Sequence, residues 1–315
     1  MERKQRTIKT SQSCQGIGLH TGVKSVITFH PAPENYGIRF IRSDIKNCTE
    51  IKADIDHVVD ISRGTTIEEN DVRIHTVEHA LAAVSGLRLD NILIELTSKE
   101  PPVMDGSAKD FVECLIKAGI QVQEEERKIL EITTAVNYTN PYRDIDIHVI
   151  PSDRFRITFM VEYNLPALGT QYEAIYNMEE DFAFEVAPAR TFCFLSEVEM
   201  LKEQGLIKGG ALDNAVVIID KEIDSMEMQR LKNLFGIEKN IIEGANGILN
   251  GKLLRFKNEP VRHKTLDLIG DLALLGVPIK GHVTAARAGH ASNVEFVKKL
   301  KKQYSKELSG ILKNE

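Results

Sequence analysis

His75-Thr76-Val77-Glu78-His79 gathers two imidazoles and a carboxylate into five residues. On a helix of 3.6 residues per turn His75 and His79 share a face, with Cβ atoms about 5–6 Å apart, while Glu78 projects about 100° from His79. Such a turn sets a metal ligand beside a base. Read alone, it fits a polar helix face with two surface histidines equally well. A second cluster, Arg262-His263-Lys264-Thr265-Leu266-Asp267-Leu268-Ile269-Gly270-Asp271, puts His263, Asp267 and Asp271 on one stripe, with Leu266, Leu268, Ile269 and Leu272 as core-facing surface. His and Asp one turn apart make a two-ligand clasp for zinc, usually with an acceptor behind each ligand. Ordinary charge pairing is the rival explanation of that helix taken alone.

Taken together, the clusters offer one His from the first half and His plus Asp from the second. Three protein ligands leave the fourth tetrahedral position open to water, as in catalytic zinc sites. Zinc would lower the pKa of that water toward about 7 and polarise a carbonyl, with Glu78 taking the proton, which is amide or ester hydrolysis. The leaving group then needs an acid. His290, in the Gly-containing turn Ala288-Gly289-His290-Ala291-Ser292-Asn293, could supply it; the bland alternative is a solvated loop histidine.

The elements that must position these residues read as follows. Strand-like stretches fall at 23–30 and 37–41, a helix at 75–85 ended by Gly86, a β run at 91–97, and a helix opened by Asp105 or Ser107 and closed by Gly119. The charged segment 123–128 lacks an apolar period and reads as a link, dividing the chain into domains 1–126 and 127–315. The second half shows strands at 129–133, 145–150 and 154–161, the last two read as a hairpin. Ser196 with Glu199 reads as a capping box for a helix to Gln204, stopped by Gly205. A β run at 215–219, a Met-rich charged stretch at 224–233, a helix over about 261–275 and a final helix from about Asn293 complete the pattern. Strands plus two helices in each half weakly suggest duplication.

The chain has 315 residues, 42% hydrophobic and 27% charged, enough for two cores and unlike a disordered or coiled-coil chain. No apolar run reaches the length of a membrane span, and residues 1–10 lack a secretion h-region. Cys14, Cys48, Cys114 and Cys193 form no Cys-x-x-Cys pair, which points to a reducing cytoplasm rather than a disulfide framework or a thiolate zinc site. A net charge of −6 makes nucleic acid an unfavourable partner.

In chain order, Gly16-Ile17-Gly18-Leu19-His20-Thr21-Gly22, His75 to His79, Met104-Asp105-Gly106-Ser107, Ala189-Arg190-Thr191-Phe192, the 262–272 cluster and Gly289-His290 closely resemble the UDP-3-O-acyl-N-acetylglucosamine deacetylases of lipid A synthesis. The resemblance covers nearly the whole chain. It implies an α+β fold of two similar domains, each a mainly β-sheet layer packed on helices, with the site between them. It implies zinc held by His79, His263 and Asp267, with Glu78 as base, His290 as acid or stabilising cation, Asp271 orienting it, and Thr191 polarising the carbonyl. Lys264, Phe192, Phe194 and Gly210 become contacts to an acylated UDP-sugar. Cys193 stands where many relatives have glycine, and 137–146 and 224–240 look like variable insertions. Some relatives are fused at the C-terminus to a hydroxyacyl-dehydratase domain; the charged end 313–315 fits a linker or an engineered truncation.

Two rivals remain. His75-x-x-Glu78-His79 also fits the inverted zinc-peptidase motif, in which both histidines bind metal. A non-enzymatic binding module is the other, tethered through the 297–308 helix, whose lysines could approach an anionic bilayer or simply form a solvated face.

Overall fold

The computed structural model describes residues 4–165, 168–221, 223–235, 247–249, 251 and 253–312. Residues 236–240 of the second suspected insertion and the charged end 313–315 lie outside these.

The first half builds a five-stranded sheet from β1 (Gln12–Ile17), β2 (Lys24–Pro31), β3 (Ile38–Arg42), β4 (Ile51–Lys52) and β5 (Ile92–Leu96), in the order β1-β2-β5-β3-β4. Only β3 and β5 run parallel. The second half repeats this with β6 (Val136–Asn140), β7 (Ile145–Ile150), β8 (Arg156–Glu162), β9 (Thr170–Ile175) and β10 (His282–Ala286), in the order β6-β7-β10-β8-β9. Again a single parallel pair, β8 with β10, sits at the equivalent place. The hint of duplication in the element pattern is thus matched strand for strand by the sheet topology.

Period-2 patterning turns one face of each sheet inward, as with Ile27 and Phe29 on β2 and Ile147 and Val149 on β7. Helices cover those faces: α1 (Glu78–Gly86) and α2 (Lys109–Ala118) in the first half, α5 (Glu259–Ala273) and α6 (His290–Gln303) in the second. Between them α3 (Leu195–Glu203) and α4 (Ser225–Phe235) flank a small parallel pair, Phe192–Phe194 with Val216–Ile218. Buried apolar residues from both halves form one continuous core. At its centre α1 packs on α5, buried on nearly every side, with Ala80 to Val84 as its apolar run. Gly270 makes the crossing close: a Cβ there would lie 2.1 Å from the Glu78 carbonyl oxygen.

Several local expectations need correction. β7 and β8 form no hairpin, because β10, from some 120 residues further on, inserts between them. The helix expected at 75–85 starts only at Glu78, since Thr76 takes φ +56° and breaks the helical path. Segment 123–128 is not a bare link: Ile120–Glu126 is a strand paired with Lys4–Ile8. Ser196 lies inside α3 rather than at its cap, its backbone N–H and hydroxyl both donating to Asp220. Asp105 and Ser107 precede α2 in a turn, where Ser107 donates to Asp105 and accepts from Lys109 N–H. The lysines of α6 are partly neutralised within the fold, Lys301 by Asp54 and Asp56 and Lys298 by Glu295. Among the described residues no helix is long and apolar enough to cross a membrane.

Candidate metal centre

α1 delivers Glu78 and His79 from its first turn, and α5 delivers His263 and Asp267 from adjacent turns of one buried face. One ligand atom from each of His79, His263 and Asp267 lies within 4.8 Å of the other two. Asp267 Oδ1 is 3.5 Å from His263 Nε2 and 3.7 Å from His79 Nε2, yet it is buried with no hydrogen-bond partner. An orphaned carboxylate oxygen is costly unless a cation meets it. Nitrogen and oxygen ligands about 2.0–2.1 Å from a tetrahedral zinc stand about 3.3 Å apart, so this donor set fits such an ion after a small contraction.

Protonation favours the same use. Burial pushes His263 down to about 4, so the ring is neutral. Its Nδ1–H donates to the Ala189 carbonyl at 3.0 Å, leaving the Nε2 lone pair directed at the cluster. Burial alone would raise Asp267, but His290, His79 and the Lys264 ammonium hold it well below the carboxylate range.

Beside the cluster Glu78 is almost fully buried, and burial raises its pKa despite nearby His290 and His79. Thr65 N–H donates to its Oε2 at 2.9 Å. His290 is no loop residue: it opens α6, with Gly289 as cap donating its N–H to Ser292 Oγ at 2.9 Å. Nor is it exposed, since only 17% of its side chain remains accessible. Its Nδ1 lies 2.8 Å from Asp271 Oδ2, and its Nε2 lies 3.8 Å from Glu78 Oε1 and 3.9 Å from Asp267 Oδ2. Burial would lower this imidazole, but Asp271, Asp267 and Glu78 push it up to about 10. Asp271 also accepts from Thr65 Oγ1 at 2.6 Å and Asn293 Nδ2 at 2.9 Å.

A cleft of about 250 Å³ opens onto these groups. Thr191 lines it, tied by its N–H to the Gly106 carbonyl at 2.7 Å. Gly106 has φ +86°, and a Cβ there would stand 2.1 Å from the Asn214 carbonyl oxygen, so Met104-Asp105-Gly106-Ser107 is the packing seat for the Thr191 segment. Phe192 and Phe194 meet edge to face at 6.2 Å, and Tyr163 packs on both. Lys264 Nζ stands 5.9 Å from the Phe192 ring centre and 3.6 Å from Asp267 Oδ2.

His75 and Gly210 stand apart from this constellation. His75 Nδ1 is 3.1 Å from Thr66 Oγ1, off the helix and outside the ligand cluster. Gly210 sits in a turn closed by its N–H on the Ile207 carbonyl, outside the lining of the cleft. Thr65, Asn293 and Tyr163 join the site although no sequence motif singles them out. Asn293 was three residues from His290 and could have been read as a partner; the others carry no spacing signal.

Fold and site together define a duplicated α+β protein with a buried His-His-Asp metal-ligand cluster and an adjacent carboxylate. The chain belongs to the UDP-3-O-acyl N-acetylglycosamine deacetylase family, matching it over residues 5–236 and 219–302. It is 54% identical over 299 residues to the "Bifunctional enzyme LpxC/FabZ" of Chlorobaculum tepidum, covering 95% of this chain and 64% of that protein. It is 39% identical over 302 residues to the UDP-3-O-acyl-N-acetylglucosamine deacetylase of Chlamydia pneumoniae, covering 95% and 98%. The like-named protein of Thermodesulfovibrio yellowstonii is 40% identical over 296 residues, covering 94% and 91%. The chain spans 64–65% of the length of three bifunctional relatives.

Proposed function

We propose that the chain is a zinc-dependent amidohydrolase that removes the N-acetyl group of UDP-3-O-acyl-N-acetylglucosamine, releasing acetate, in lipid A biosynthesis in the cytoplasm. The observation that carries this reading is the meeting of His79, His263 and an otherwise unpartnered Asp267 oxygen beside buried Glu78. Held by those three residues, zinc supplies a Lewis acid that polarises the amide carbonyl and lowers the pKa of water toward about 7.

The chain's own groups do the rest. Glu78, steadied through Oε2 by Thr65, takes the proton of the attacking water. His290 gives a proton from Nε2 to the departing amine, while Asp271 holds its other nitrogen. Asp271 is itself fixed by Thr65 and Asn293, so acid and base share one scaffold residue, Thr65. Thr191 directs its hydroxyl at the carbonyl oxygen, Lys264 meets the diphosphate, and Phe192, Phe194 and Tyr163 wall the apolar portion. The inverted-peptidase rival is disfavoured, because it needs His75 and His79 on one helical face and Thr76 breaks that face. We also place the boundary between the duplicated units at 126/127, where the strand Ile120–Glu126 has just closed back on Lys4–Ile8.

Acetate release from the 3-O-acylated sugar nucleotide, compared with UDP-N-acetylglucosamine, tests the reading. Each buried methylene contributes about 0.8 kcal/mol, roughly fourfold in the specificity constant. Equal specificity constants would remove the acylated substrate from the account.

A further inference from the structure

We propose that a cavity at the other end of the α1 and α5 pair is a second binding site, taking an amphipathic organic anion with an aliphatic chain and a carboxylate or phosphate head. The cavity holds about 440 Å³ and shares no lining residue with the catalytic cleft. That volume lies within the roughly 300–1,000 Å³ of small-molecule pockets.

Its floor is aliphatic, drawn from Ile38, Leu89, Ile269, Leu272, Val277 and Ile279. Among the described residues Phe155 is the sole aromatic in the lining, so the surface suits a chain better than a stacked base. Around the floor stand Lys52, Arg88, Arg127, Lys128, Arg154 and Lys280; the two lining carboxylates, Glu179 and Asp90, pair with Arg88 and Arg127, and Lys52 is engaged as well. Lys128, Arg154 and Lys280 are the cations beyond those pairs, in a chain of net charge −6. Arg154 and Lys280 do hold Asp153 and Glu131, but both carboxylates are 62% exposed, and exposed pairs bind weakly.

Arg127 points most directly to a ligand. Its side chain is 10% exposed, and Nε donates to Asp90 Oδ1 at 2.6 Å. Its two amino groups donate to no acceptor among the described residues. A guanidinium held through Nε alone, with its amino groups unspent, is suited to a carboxylate or phosphate. The same helices bear the metal cluster: Asp267 and Leu272 are five residues apart on α5, about 7.5 Å of rise. Occupancy of the cavity would therefore brace the helix pair that holds the ligands together. This proposal stands apart from the catalytic reading.

Titration calorimetry with dodecanoate, dodecyl phosphate and inorganic phosphate tests it on the whole chain. We expect one dodecyl anion per chain to bind in this cavity, resolved as a site separate from any dodecyl anion that the acyl-binding cleft takes. Affinity should fall at least tenfold in Lys128→Glu/Arg154→Glu, which alters only the rim, and in Ala273→Phe, which fills the floor, while Phe192→Ala in the cleft leaves it unchanged. The tighter of the two dodecyl anions identifies the head group. No binding, binding untouched by the rim variant, binding lost only in Phe192→Ala, or inorganic phosphate binding as tightly as dodecyl phosphate would each overturn the proposal.

Discussion

Gly270→Ala adds one methyl group at the crossing of α1 and α5 and should separate the metal ligands. The new Cβ would stand 2.1 Å from the Glu78 carbonyl oxygen, where ordinary contact begins at 3.4 Å, a shortfall of 1.3 Å. The obstacle is helix backbone, so no rotamer relieves it; α1 must move away from α5 by about 1 Å. Overpacking of this kind costs about 1–3 kcal/mol, which lowers the melting temperature of a chain this size by about 1–2 °C per kcal/mol. The functional loss should be larger than the stability loss. His79 rides on α1 while His263 and Asp267 ride on α5, and Asp267 Oδ1 already stands 3.7 Å from His79 Nε2. One further ångström takes His79 out of reach of an ion held by the other two. Thermal melting, metal content by mass spectrometry and acetate release should show a folded variant with its metal affinity reduced at least tenfold. A Gly270→Ala protein with full metal content and turnover would refute the argument that this close crossing sets the ligand spacing.

Glu78→Gln should retain metal and fold, since Gln can still accept from Thr65 N–H, but lose about 10²–10⁴ in turnover; a near-normal rate would assign the base elsewhere. His290→Ala should depress turnover with metal content unchanged, and a fall in metal content would make it a ligand instead. His75→Ser should keep both metal and most activity because its ring reaches only Thr66, whereas loss of metal would revive the peptidase arrangement.

The metal cluster was legible because its signals are local. His263, Asp267 and Asp271 sit one turn apart on a helix that intersperses them with Leu266, Leu268, Ile269 and Leu272, and they do share the buried face of α5. The family motifs then singled out His79 from His75. Local patterning failed where a single backbone angle or a distant segment decides. Nothing in the letters around Thr76 marks a left-handed residue, so the sequence pattern extends the helix three residues too far. His290 looked like a turn residue because Gly289 preceded it, yet that glycine caps a helix and the ring is buried against Asp271. Adjacency in sequence makes β7 and β8 read as neighbours, whereas the parallel partner that separates them arrives from far along the chain. Thr65 carries no spacing relation to any motif, although it touches both Glu78 and Asp271.

The central claim is that His79, His263 and Asp267 together hold one catalytic zinc. Metal content and acetate release, measured side by side on the parent and on His79→Ala, His263→Ala and Asp267→Ala, test it most directly. The account predicts about one zinc per parent chain, loss of both zinc and activity in all three variants, and loss of activity on chelation with recovery on adding stoichiometric zinc. Activity that survives complete metal removal, or variants that release acetate at the parent rate, would contradict it.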